Sequence, residues 1–144
     1  MVTSQPTITD MMVAYAMDAV DHAQKAFGRN LDYSLASVEA VEEVLAAMYE
    51  AKPKGLLGRL FKARPSPEVM WSFAKMYGGY VGEVLRRHRG GDWFVDEEIV
   101  PGQKTLGLRK GDHRIWPPAK VGKRLVNGPE DNVWHYLQVV SRDW

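Results

Sequence analysis

The stretch from Lys75 to Trp93, KMYGGYVGEVLRRHRGGDW, decides the fold. Met76, Tyr77, Tyr80 and Val84 fall at helical spacings, with Val69 and Phe73 continuing the same face upstream. Gly90 and Gly91 then end the helix, and from Trp93 onward the apolar pattern turns strand-like. A helix that hands over directly to short strands predicts an α+β chain.

Working backward, RPSPEVMW supplies the start of that helix: Ser66 as N-cap, Pro67 at the first helical position and Glu68 against the helix dipole. Two more helices are predicted before it. One spans residues 8 to about 27, with Ile8, Met12, Tyr15, Ala16, Ala19, Ala23 and Phe27 on an alanine-rich inner face, Thr7 or Thr9 as N-cap and Gly28 just past its end. The other runs from roughly 35 to 51, capped by Ser34 or Ser37, burying Val38, Val41, Leu45 and Met48 and turning Glu39, Glu42, Glu43 and Glu50 outward. Working forward, segments 93–100, 104–109 and 113–117 predict a three-stranded antiparallel meander joined at PGQ and KGD. A short helix at 118–126 and a last helix from Pro129 to about Ser141 complete a single domain over residues 1–144. Its N-terminal helices pack on a small antiparallel sheet, with a basic inter-helix connection at 52–66 and C-terminal helices.

Composition excludes several function classes. The 45% hydrophobic and 26% charged content is that of a globular domain, and no apolar run nears the roughly eighteen residues of a membrane span. Asp10, Asp18 and Asp21 interrupt what a signal peptide keeps apolar, so the cytoplasm is the expected location. Without cysteine there are no disulfides or thiolate metal sites. His22, His88, His113 and His135 lie outside metal-ligand spacing, so neither metal nor cofactor is expected. The net charge of +1 hides an asymmetry: residues 1–51 carry eight acids against Lys25 and Arg29, whereas 52–64 carry five bases and no acid. RRHRGGDW places its bases at a helix C-terminus, the end that repels anions, so nucleic acid is not the expected partner.

Four features invite a functional reading. Gly78, Gly79 and Gly82 each cost a helix interior about 1 kcal/mol relative to alanine. They either admit the alanine face of the first helix or clear a groove beside Glu83. Glu83, among Val81, Val84 and Leu85, needs a partner if buried, and Arg86, Arg87, Arg114, Lys123 and the Trp93 indole are the candidates. It is then either a tie between helix and sheet, the polar group of a pocket with Tyr80, Trp93 and Lys123, or a general base. The connection KPKGLLGRLFKARPSP sets Leu56, Leu57, Leu60 and Phe61 among five bases, either folded onto the core or turned to a membrane surface or acidic partner. Of the five tryptophans, Trp116 stands before two prolines and, with Arg114, forms the best candidate interface pair.

The helical Gly78, Tyr80, Gly82, Glu83 series ending near Gly91 and Trp93, followed by Pro118, Lys120, Val121, Lys123, Arg124, Gly128 and Asp131, resembles a loosely defined family of small bacterial cytoplasmic domains of unknown function. Such domains are similar to immunity proteins of bacterial toxin systems. The resemblance covers about the C-terminal half and implies a non-enzymatic protein that binds and neutralises a toxin. Two surfaces suit that role: the acidic face of Glu39, Glu42, Glu43 and Glu50, or the sheet with Arg114 and Trp116. A small-molecule or regulatory domain built around Glu83 is the alternative, and a homo-oligomer stays open.

Overall fold

The computed structural model describes residues 5–51 and 66–144, so the expectations for Leu56, Leu57, Leu60 and Phe61 lie outside the described residues. In chain order the elements are α1 (Ile8–Phe27), α2 (Ser37–Glu50), α3 (Pro67–Arg89), β1 (Asp92–Asp96), β2 (Thr105–Lys110), β3 (His113–Ile115), α4 (Pro117–Asn127), a single 3-10 turn (Pro129–Asp131) and α5 (Val133–Asp143). The architecture is α+β: helices packed on a three-stranded antiparallel sheet of order β1-β2-β3. The register sets Trp93 opposite Leu108, Phe94 opposite Gly107 and Leu108 opposite Ile115.

Two of the three expected N-caps form, while the N-cap of α2 is Ala36, not Ser34 or Ser37, and makes no side-chain cap. Thr7 and Asp10 close a reciprocal capping box at the start of α1, and Gly28 ends it with φ of 64°. The Ser66 hydroxyl accepts the Val69 N–H at 3.3 Å, with Pro67 opening α3.

The middle of α3 departs from a one-sided amphipathic helix. Every residue from Tyr77 to Leu85 is buried, so this segment is enclosed on all sides, as a helix through the centre of a domain must be. Its three glycines serve three neighbours, whereas the sequence suggested α1 alone. A Cβ on Gly79 would sit 3.1 Å from the Met12 carbonyl oxygen and from Tyr15 Cβ of α1. One on Gly78 would sit 2.9 Å from the carbonyl carbon of Pro117 and collide with Pro118, at the start of α4. One on Gly82 would fall inside the Trp93 indole of β1. Val69, expected inward, is exposed, because the first turn of α3 stands clear of the core.

Three boundaries also differ from expectation. β1 stops at Asp96 and does not run to Val100: the Asp96 Oδ1 accepts the Glu98 and Ile99 N–H groups at 2.9 and 3.3 Å and turns the chain. Trp116 and Pro117 leave the sheet, Pro117 being the first residue of α4. The last helix begins at Val133, after the turn at Pro129, since the Asn132 side chain accepts the His135 N–H at 2.9 Å and caps α5 separately.

Glu42 is the main correction on α2. It does not join an outward acidic face; it points into the contact of α2 with α4 and α5. Its carboxylate takes the Arg124 Nε at 3.0 Å, the Arg124 Nη2 at 2.9 Å and the Val133 N–H at 3.0 Å, at the start of α5. Arg124 is 2% exposed, and one of its terminal nitrogens has no hydrogen-bond partner. Glu43 pairs with Arg29 at the surface, and Glu39 and Glu50 are exposed.

The packing around α3 carries a direct test. Gly82→Ala lowers unfolding free energy by about 1–3 kcal/mol through overpacking against Trp93. Gly122→Ala, where a Cβ meets only the Ala74 methyl at 3.8 Å, raises it by up to about 1 kcal/mol through helix propensity. Urea unfolding of both variants checks the pair of signs.

Candidate functional site

Glu83 has no exposed surface. Its two oxygens are fully engaged: Arg86 reaches Oε2 through Nε at 2.5 Å and Oε1 through Nη2 at 2.9 Å, Arg87 Nε lies 3.3 Å from Oε1, and the Trp93 indole N–H donates to Oε2 at 2.9 Å. Burial pushes this carboxyl up, but the hydrogen bonds from Arg86 and Trp93 and the charges of Arg86 and Arg87 outweigh it and hold the group below the usual carboxylate range. Of the five candidate partners, Arg86, Arg87 and Trp93 bind Glu83, while Arg114 and Lys123 form no bond to it.

Tyr80 is also consumed structurally. Its hydroxyl accepts the Tyr33 N–H at 2.8 Å and shares a 2.6 Å hydrogen bond with Ser37. Tyr33 adopts φ of 64°, a costly conformation for a bulky residue. It is held there by the Arg87 guanidinium 3.8 Å above its ring and by His88, whose Nε2 is 2.8 Å from its carbonyl oxygen. Glu83, Tyr80 and Trp93 are thus brought together as a knot that fastens α3 to β1 and to the α1–α2 connection. Lys123 is not part of it.

Lys123 instead lines an open recess of about 700 Å³ on another face. Trp71 of α3 forms one wall. Ile99, Val100, Gln103, Lys104 and Thr105, from the β1–β2 connection and the start of β2, form a second. Trp116, then Ala119, Lys120 and Lys123 of α4, and Tyr136 of α5 complete it. Trp71, Ile99 and Val100 are 39%, 48% and 40% exposed, an unusual concentration of apolar surface around one depression.

Asp96 positions two of these walls. While Oδ1 turns the chain into Ile99, Oδ2 accepts the Trp116 indole N–H at 3.3 Å. The backbone bonds from Glu98 and Ile99, helped by Trp116 and the charge of Arg114, hold its carboxyl below the usual range against desolvation. Gly107 adds room: a Cβ there would meet the Phe94 ring at 2.6 Å and Trp116 Cδ1 at 3.2 Å. Beside this contact the Arg109 and Arg114 guanidinium groups lie 4.9 and 5.5 Å from the Phe94 centroid. The sequence-predicted pair Arg114 and Trp116 therefore sits at one edge of the recess, on an arginine-aromatic sheet face.

Trp71, Ile99, Val100, Tyr136 and the roles of Asp96 and Arg124 were not singled out from sequence. For Arg124 a signal existed: it shares a helical face with Val121 and Leu125. For Ile99 and Val100 it was an apolar pair abutting Pro101-Gly102, where a turn strands apolar side chains at the surface.

Among the described residues no group of three His, Asp or Glu side chains is placed to hold a metal, and no helix is long and apolar enough to cross a membrane. Comparison with protein-family models, with curated proteins and with solved structures finds no match to this chain. The residues that carried the resemblance mostly build the fold: Gly78 receives Pro118, Gly82 receives Trp93, Glu83 binds Trp93, and Lys120 pairs with Asp131 at 3.0 Å.

Because the Glu83 carboxyl is held low in the folded chain, its stabilisation is complete at neutral pH and is lost as pH falls through the folded-state value. The stability difference between wild type and Glu83→Gln, about 3–5 kcal/mol at neutral pH, therefore narrows below about pH 4. Chemical denaturation of both proteins across that range measures it.

Proposed function

We propose that this chain is a non-enzymatic interaction protein of the immunity type, which binds a partner protein, a toxin effector, in the bacterial cytoplasm. The observation that supports this reading is one continuous strip: the Arg109–Phe94–Arg114 sheet face, Trp116, and the recess walled by Trp71, Ile99 and Val100. Trp116 belongs to both parts, packing against Gly107 on the sheet and lining the recess. Exposed tryptophan and arginine around an apolar depression is the composition of interface hot spots.

Of the two surfaces suggested by sequence, the geometry favours the one with Arg114 and Trp116. The acidic face is divided, with Glu42 committed to Arg124 and Glu43 to Arg29. A ligand pocket centred on Tyr80, Glu83 and Trp93 gains no support, since these groups satisfy one another. A general-base role for Glu83 is likewise disfavoured, because both oxygens are already occupied by cationic or indole donors.

The test is to isolate the protein that copurifies with this chain from its native cell and to co-express the two. Wild type restores growth of cells expressing the effector and forms a complex. Trp71→Ala and Arg114→Glu each weaken that complex by about 2 kcal/mol or more, roughly thirtyfold. Glu39→Lys combined with Glu50→Lys leaves it nearly unchanged. The opposite pattern, binding lost through the glutamates and insensitive to Trp71 and Arg114, would return the interface to α2.

A further inference from the structure

We infer that the recess is also a binding site for a small aromatic anion, an aryl carboxylate or sulfonate in chemical type. This goes beyond the partner-protein reading and does not depend on it.

The walls supply the body of such a ligand with its surroundings. Trp71, Trp116 and Tyr136 contribute three rings, and Ile99 and Val100 contribute aliphatic surface. The volume of about 700 Å³ falls within the roughly 300–1,000 Å³ typical of small-molecule sites.

The polar groups determine the sign of the charge. Lys104, Lys120 and Lys123 all line the recess, and no Asp or Glu does. Lys120 is partly neutralised by Asp131, which also accepts from Asn127. Lys104 and Lys123 make no hydrogen bond or ion pair with any described residue, although the Lys123 charge helps keep Asp131 ionised. The Tyr136 hydroxyl has no hydrogen-bond partner among the described residues, and burial pushes its pKa upward, so it remains an O–H donor. The recess thus offers two ammonium groups and a phenol donor, none bonded to another described residue, over an aromatic wall. A cation would meet three lysines, and a neutral apolar ligand would leave those donors unused. An anion with a flat apolar body satisfies both parts.

Anilinonaphthalene sulfonate is the direct probe, with uncharged phenylnaphthylamine as its matched control. Fluorescence titration of the full chain is expected to show one saturable sulfonate site, at least about tenfold tighter than the neutral control and weakened by added salt. Lys104→Glu combined with Lys123→Glu lowers sulfonate affinity by about tenfold or more and leaves the neutral compound unaffected. Lys104→Gln with Lys123→Gln shifts it in the same direction by a smaller factor. Trp71→Ala weakens both ligands. Circular dichroism verifies that each variant stays folded, as expected for lysines with no ion pair among the described residues. Absence of saturable binding, equal affinity for the two compounds, or sulfonate binding indifferent to the lysine and Trp71 changes would overturn the assignment. Arg114→Glu leaves sulfonate affinity unchanged while weakening the partner complex, so failure of this site and failure of the partner reading are separable.

Discussion

A carboxylate with no exposed surface can persist only if every lone pair it presents is satisfied, and Glu83 meets that condition through Arg86, Arg87 and the Trp93 indole. Much of the architecture follows from this requirement. The indole that reaches the carboxylate lies against α3 at Gly82, which leaves space for nothing larger than hydrogen at that position. Trp93 in turn fixes β1, and Asp96 at the far end of β1 anchors both the chain turn and Trp116. A chain of contacts therefore runs from the buried carboxylate to the rim of the recess. The structural and functional polar groups are connected without being the same groups.

A second buried ion pair does comparable work on the other side. Glu42 and Arg124 join α2 to α4, and Glu42 also receives the first N–H of α5, where the positive end of the helix dipole favours an anion. Both knots hold one ion deep in the interior, and both use backbone or indole donors to complete the pairing. Around Trp116 the lining changes character: exposed apolar side chains in Trp71, Ile99 and Val100, two lysines without an ion pair among the described residues, and no acid.

The helices, two of their N-caps and the three-stranded meander were legible in the sequence because each rests on local signals: a threonine before α1 and Ser66 before α3 as caps, Gly28 and Gly90 as stops, and turn residues between strands. Glu83 and its question were also visible, since a carboxylate among valines demands explanation wherever it lies. What periodicity could not resolve was the depth of α3, whose central residues face neighbours on every side. Nor could it assign the three glycines to three different partners, because those partners are as far away in sequence as Pro118 and Met12. The recess was hidden for the same reason: Trp71, Val100, Lys123 and Tyr136 come together only after the knots have set the relative positions of α3, the sheet, α4 and α5. The inward turn of Glu42 depended on Arg124, eighty-two positions later.

The division between an internal tie and an external site is tested most directly by measuring stability and recess affinity on the same Glu83→Gln protein. The expected result is a clear loss of unfolding free energy together with undiminished affinity for anilinonaphthalene sulfonate at a temperature where the variant remains folded. Unchanged stability accompanied by lost affinity would contradict it, and would make Glu83 part of a binding site after all.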